Sequence, residues 1–397
     1  MGVRHRAATP PNPPAQTHVA DSILFDEYAL GELDLPNRAV MAPMTRSRAI
    51  GSIPNELMAE YYAQRAEAGL IVTEGVSPAP NGLGYPRIPG LWSDEQVEGW
   101  KLVTDAVHDA GGRIFAQLMH TGRVAHPANL PEGGRVVAPA AVPLTDTKMW
   151  VDDAGEELPI PTADRMEPPE VEVAMSEYVQ AAENAIRAGF DGIELHGANG
   201  YLIEQFIHPH TNRRMDGWGG SVATRCRFAI QTAEKVVAAI GGDRVGMRLS
   251  PYGVFNEMPH YDEIDMTYLH LARQLGQAGL AYLHIVDHSS MGAPDVPTEI
   301  KASMREAFDG TFILSGGYDH ERAVEDLTPE VIEHEEEGEE DEVLPANADL
   351  IAFGRPFLAN PDLLERFRKG AELNEPRPDL FYTPGAEGYT DYPTLDD

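Results

Sequence analysis

The chain has 397 residues, 42% of them hydrophobic, enough for one large barrel or two ordinary domains. Its 64 acidic residues against 30 basic ones give a formal net charge of −34, which argues against nucleic acid as a partner. No apolar run approaches the roughly 20 residues that cross a membrane, and the single cysteine, Cys226, excludes an intramolecular disulfide, a four-cysteine zinc site and an all-cysteine iron–sulfur cluster, so no metal is expected.

Taken in order, residues 1–21 carry Arg4, Arg6 and a PPNPP run without the apolar core of a secretory signal. They read as a disordered leader before a single domain over 22–397. Leu24 to Pro36 reads as a capping hairpin. Short apolar runs then occur at Arg38–Met44, Leu70–Val76, Arg113–Met119, Asp191–Leu195, Val245–Leu249, Tyr282–Asp287, Thr311–Ser315 and Asp349–Phe353. Helical patterns fall between and after them: Asn55–Ala68, Asp94–Ala110, Glu172–Gly189, Thr224–Ile240, Met266–Ala278, Val296–Phe308 and Asn360–Lys369. Gly69, Gly111, Gly189, Gly241 and Gly279 stand where a left-handed residue would end a helix. Eight strand and helix units in this length predict a (β/α)8 TIM barrel with an N-terminal capping hairpin. The alternative is a doubly wound open sheet, but no GxGxxG fingerprint follows the first strand.

Only five of the basic residues are Lys, so the surface is acidic and Arg-based. We expect a cytoplasmic protein adapted to high salt, where screening suppresses self-repulsion. The HEEEGEED run, residues 334–341, reads as a solvated acidic insertion within 330–345, since consecutive carboxylates lack the turn spacing of a calcium loop.

In such a barrel, chemistry belongs to the loops at the strand carboxyl ends. The first strand runs into Pro43, Met44 and Thr45, the third carries Gln117 and Met119, and the fifth carries Arg248. The seventh and eighth end in Gly316, Gly317, Gly354 and Arg355, bare amides beside a guanidinium that suit a phosphate. After the fourth strand, DGIELHGANGYLIEQF sets His196, Asn199 and Tyr201 within six residues. Two donors for one oxygen, with a phenol close by, suit a substrate whose charge grows on oxygen while its carbon takes a proton. Taken alone, each is more often a satisfied core His, a turn Asn and a packed Tyr.

The chain resembles the Old Yellow Enzyme family of FMN-dependent ene-reductases. The resemblance runs through RAVMAPMTRSRA, FAQLMHTGR, DGIELHGANGYLIEQF, GMRLSP, SGGY, DLIAFGRPFLANPDL and FYTPGAEGYTDYPTL, covering about residues 22 to 395. It implies that Gly316, Gly317, Gly354 and Arg355 hold the FMN phosphate. Gln117 and Arg248 would meet the pyrimidine edge of the isoalloxazine, and Pro43, Met44 and Thr45 would line the ring. His196 and Asn199 would polarise the carbonyl of an α,β-unsaturated substrate, with Tyr201 protonating its α-carbon after hydride reaches the β-carbon. Tyr382 stands where the family has a tyrosine over the ligand, or packs in an aromatic latch as Phe381 and Tyr389 are expected to do. Met119 replaces a substrate-facing Trp, which implies a wider pocket.

The implied function is ping-pong reduction of enones, enals, maleimides or nitroalkenes by NADPH or NADH through bound FMN. The protein would be a monomer or small homo-oligomer. Relatives of the dienoyl-CoA or trimethylamine type need an iron–sulfur cluster that one cysteine cannot hold. A Schiff-base aldolase needs a strand Lys, and none of the five lies on an expected strand. A flavin-binding sensor without turnover is the rival from another class, disfavoured by the trio.

Overall fold

The computed structural model describes residues 22–152, 154–332 and 342–397, so the expected leader and the 334–341 run lie outside the described residues. Each expected apolar run carries one strand of a closed, all-parallel barrel. The strands are β1 (Ala39–Met41), β2 (Leu70–Val76), β3 (Ile114–Leu118), β4 (Gly192–Gly197), β5 (Val245–Leu249), β6 (Tyr282–Val286), β7 (Thr311–Ser315) and β8 (Leu350–Phe353). They pair in chain order and β8 closes on β1. The fold is the expected (β/α)8 barrel, not an open sheet.

The outer layer is α1 (Glu56–Ala63), α2 (Asp94–Asp109), α3 (Pro168–Arg187), α4 (Val222–Ile240), α5 (Ile264–Gln277), α6 (Thr298–Glu306), α7 (His320–Leu327) and α8 (Leu363–Lys369). At two ends that were expected elsewhere, a neighbouring residue explains the shift. The first helix stops at Ala63 instead of Ala68: the buried Arg65 turns back to donate to the Tyr61 carbonyl at 2.8 Å and lies over the Tyr61 ring. Pro297, which cannot donate within a helix, sits outside α6 as its N-cap. The polar HERAVEDL segment of α7 buries only Ala323 and Leu327, too weak an apolar stripe to read as a helix. Gly111, Gly189, Gly241 and Gly279 have positive φ, but Gly69 does not. A Cβ at Gly69 would lie 2.1 Å from the Asn37 carbonyl, so that glycine serves close approach, not helix termination.

Between β3 and α3 the chain makes an excursion that the pattern did not assign. It holds the antiparallel pair Lys148–Val151 and Glu156–Pro159, and a short parallel pairing of Val137–Ala138 with Asp164–Arg165. The acidic insertion begins and returns as an antiparallel ribbon, Glu330–Ile332 with Glu342–Leu344.

Alternation along each strand fills the barrel in layers. Val40, Val72, Phe115, Tyr282, Ile313 and Leu350 form the lower interior, all buried. Room for the two aromatic rings comes from missing side chains on the neighbouring strand: a Cβ at Gly246 would fall 2.1 Å from the Tyr282 ring and one at Gly192 2.5 Å from Phe115. The hairpin Tyr28–Leu30 with Leu33–Leu35 plugs this end, inserting Leu30 and Leu35 into the same cluster. Leu30→Ala leaves a cavity that the surrounding closed barrel is poorly able to fill, so we expect a loss of about 3 kcal/mol, read by denaturant unfolding, within the usual range for buried Leu→Ala changes. An unchanged midpoint shows the hairpin to be a passive flap.

Candidate active site

β4 carries Glu194 and His196 on one face, and the chain then turns sharply through Asn199 and Gly200, with Tyr201 as N-cap of the helix Leu202–Ile207. Asn199 sits in the left-handed region at φ +59, a conformation Asn tolerates better than most residues. Fixed partners hold it there. Its N–H donates to Ser250 Oγ at 2.9 Å, its carbonyl accepts from Asn256 Nδ2 at 2.7 Å, and the Gly200 N–H donates to Glu204 Oε2 at 2.5 Å. The Ser250 and Tyr268 hydroxyls both donate to Glu204 Oε1 at 2.8 Å. Burial pushes the Glu204 carboxyl up to about 7 against the pull of these donors.

Protonation within the trio follows from burial. The Ala198 N–H donates to His196 Nδ1 at 3.2 Å, which puts the ring proton on Nε2. Burial, and then the positive Arg248, hold His196 well below its ordinary value, so it is a neutral donor. Its ring meets Tyr201 edge-on, centroids 4.9 Å apart. The Tyr201 hydroxyl lies 2.9 Å from that of Tyr85, and burial, reinforced by Tyr85, raises the Tyr201 phenol well above its usual range. At neutral pH Tyr201 keeps its proton.

A buried polar layer crosses the barrel beneath the trio. Gln117 Nε2 donates to Glu194 Oε1 at 2.7 Å, Glu194 Oε2 pairs with His284 Nδ1 at 2.8 Å, and His284 Nε2 meets Ser315 Oγ at 2.9 Å. Burial opposes ionisation of Glu194, but His284, Arg248 and Gln117 hold its carboxyl below the usual range, so Glu194 is the anion of this layer. Arg248, also buried, reaches only Ser315 Oγ at 3.5 Å among the described residues, and its Nε has no partner among them.

Above this layer opens a cavity of about 530 Å³. Pro43, Met44, Thr45, Asn199, Tyr201, Arg248, Gly316, Gly317, Gly354, Arg355 and Tyr382 all line it. Three expected residues do not. His196 is buried behind Tyr201, Gln117 is turned to Glu194, and Met119 packs beneath the excursion with Leu83, Met149 and Tyr201. Met119 also fills the space beside Gly75, where a Cβ would lie 2.5 Å from its methyl. Tyr382 is 60% exposed at the rim and shares a second chamber of about 640 Å³ with Thr45, Tyr85 and Tyr201. Phe381 lines the cavity, whereas Tyr389 is the latch, stacked on Tyr61 at 4.0 Å.

That tail is tied to the first strand's loop by two buried arginines. Arg46 donates to the carbonyls of Phe381 and Gly388, and Arg48 to those of Leu380, Phe381, Gly385 and Glu387. Arg87 pairs with Asp152 of the excursion and donates to the Tyr382 carbonyl, joining both walls. Residues that sequence reasoning missed are Tyr85, Phe255, Asn256 and His288 on the cavity wall, and Glu194 and His284 beneath it. Their partners lie tens of residues away, so no local pattern marks them.

The residues present fit FMN. An unpartnered buried guanidinium edge needs an acceptor. At Gly316, with φ +129, a Cβ would lie 1.9 Å from the Asp287 carbonyl, so only glycine fits this turn of the cavity wall.

The strap around Asn199 yields a pH prediction. The folded Glu204 binds its proton more tightly than its ordinary 4.5, so it contributes stability that is complete below about 4.5 and lost as pH rises to about 7. Glu204→Gln lacks this dependence. Unfolding free energies of the two proteins should therefore move by up to about 3 kcal/mol in the variant's favour across that window. Parallel curves would mean that Glu204 is ionised throughout.

The family and fold follow from comparison with known proteins. The model of the NADH:flavin oxidoreductase / NADH oxidase family matches residues 23–374. The 12-oxophytodienoate reductase 7 of Oryza sativa subsp. japonica is 39% identical, over 96% of this chain and 97% of its own length. The 12-oxophytodienoate reductase 1 of the same plant is also 39% identical, over 97% and 96%. Among solved structures, morphinone reductase superposes with a TM-score of 0.87 at 42% identity, covering 96% of this chain and 98% of that one. Its complex with tetrahydroNAD gives 0.86 at 42%, covering 94% and 98%. The chain therefore belongs to the NADH:flavin oxidoreductase / NADH oxidase family, the Old Yellow Enzyme family of flavin-dependent oxidoreductases.

Proposed function

We propose that this protein is an ene-reductase that reduces the C=C bond of enones, enals, maleimides or nitroalkenes at the expense of NADPH or NADH, by a ping-pong cycle. The observation that carries the reading is the meeting, around one cavity, of the Asn199 amide and the protonated Tyr201 phenol with a glycine cradle and the Arg248 guanidinium, while neutral His196 stands edge-on to Tyr201 just outside the lining. Relatives named as reductases of 12-oxophytodienoate and morphinone support it, and a relative in complex with tetrahydroNAD supports a nicotinamide reductant.

Gly316, Gly317, Gly354 and Arg355 would hold the FMN phosphate, with Gln117 and Arg248 at the pyrimidine edge and Pro43, Met44 and Thr45 along the ring. When bound, FMN supplies hydride to the alkene β-carbon after taking it from the nicotinamide. Arg248 contributes a fixed positive charge, and its Nε is a donor without a partner among the described residues. His196 Nε2–H and the Asn199 amide donate to the substrate's carbonyl or nitro oxygen and lower the energy of the charge that develops there. Tyr201 delivers its proton to the α-carbon, and Tyr85, 2.9 Å away, keeps the phenol oriented. Tyr382, at the exposed rim, would bound the substrate end, with Met119 packed behind Tyr201 rather than on the wall.

The test is an absorption spectrum of the purified protein, first alone, then with NADPH or NADH under anaerobic conditions, then with cyclohexenone. A flavin band that bleaches and returns establishes both half-reactions. A colourless protein that cannot be reconstituted with FMN refutes the reading, and a band that bleaches but never returns with any activated alkene leaves a redox protein without this turnover. Tyr201→Phe should slow the enone step by roughly 100-fold or more, in the range of one general acid, while flavin reduction by nicotinamide stays near wild type. Equal loss of both steps would remove Tyr201 from the proton-donor role.

A further inference from the structure

His288 stands two residues beyond the end of β6, on the wall of the cavity, and neither the motif pattern nor the proposed reaction uses it. Its loop is anchored. Asp287 accepts from the Ser289 N–H at 2.9 Å and the Val296 N–H at 3.3 Å and lies 3.5 Å from Lys301, while its own N–H donates to the Ser315 carbonyl of β7. The imidazole packs on Phe255, ring centroids 4.4 Å apart, and its Nε2 lies 2.7 Å from Asn199 Oδ1. Burial and the Arg248 charge hold His288 down at about 4, so the contact is made by a neutral ring donating from Nε2.

A side-chain amide has two nearly isosteric orientations, one presenting NH2 and the other C=O. The Asn199 backbone is already fixed on both sides by Ser250 and Asn256. What selects between the two orientations is therefore whatever binds one edge of the amide. Oδ1 is bound by His288, and Nδ2 has no protein partner among the described residues. We infer that His288 is a positioning residue that fixes the Asn199 amide with its carbonyl turned away and its NH2 edge free, making Asn199 a donor to the substrate's activating oxygen. This rests on the reading of Asn199 as a carbonyl-binding residue. Without His288, the flipped amide sets one carbonyl oxygen against another, so affinity for the oxygen is lost although Asn199 is still there.

The test is a double-mutant cycle on the FMN-loaded enzyme with His288→Phe, Asn199→Ala and the pair. Two quantities are measured: binding of cyclohexanone, a ketone with no alkene to reduce, from its perturbation of the flavin band, and the rate of the enone half-reaction. His288→Phe should weaken cyclohexanone binding roughly tenfold, the scale of one lost and one opposed hydrogen bond. In the Asn199→Ala background the same change should have almost no effect. Equal losses with and without Asn199 would make His288 a packing residue and overturn the inference, as would no loss at all. If Asn199→Ala alone leaves ketone binding and the enone rate unchanged, the carbonyl-binding reading fails and the inference goes with it. Should Phe not be accommodated, His288→Leu repeats the cycle without a ring donor.

Discussion

The centre of the molecule is organised by one buried cation. Among the described residues Arg248 has no carboxylate in contact, and its anion, Glu194, sits on the adjacent strand. An isolated buried charge is untenable in a protein interior, and a guanidinium cannot shed its proton to escape. The barrel answers with distance: Glu194 is near enough to offset the charge, but its oxygens are taken by Gln117 and His284. Positive potential is thus kept at the cavity floor instead of being quenched in an ion pair. Burial, reinforced by this charge, keeps His196 and His288 neutral, so these donors are uncharged and directional.

Around this floor, precision comes from irregular backbone held by side chains. Asn199, at positive φ, is strapped by Ser250, Asn256 and, through Gly200, Glu204. Arginines do the same for the loops: Arg65 binds the carbonyls of Phe357 and Leu358, Arg214 those of Pro139 and Met166, and Arg225 those of Ile207 and Gly220. Much of the basic side of a −34 chain is therefore spent inside, satisfying carbonyls that no helix or strand reaches. The surface is correspondingly more one-signed than a count of charges implies.

The barrel strands and the chemistry-bearing loop ends were legible in the sequence because both are local: a strand is a short apolar run, and its loop follows at once. His196, Asn199, Tyr201, Arg248, Gly316, Gly317, Gly354 and Arg355 are found this way. What escaped is what distance in sequence hides. Tyr85 and Tyr201 are 116 residues apart, and His288 and Asn199 are 89 apart. The excursion between β3 and α3 stayed unread because its strands are two to four residues long and carry no sustained alternation. Gly69 was misread because a glycine after a helix and a glycine beneath a passing carbonyl look alike in sequence.

The ties from Arg46 and Arg48 to carbonyls between residues 380 and 388 span more than 330 residues of chain. On the ribosome, the loop after β1 waits through the synthesis of more than 330 residues for the carbonyls that satisfy it. β1 likewise waits for β8 before the sheet can close. A nascent chain that lacks residues 350–382 has an open barrel edge and a cavity without the wall that Phe381 and Tyr382 supply.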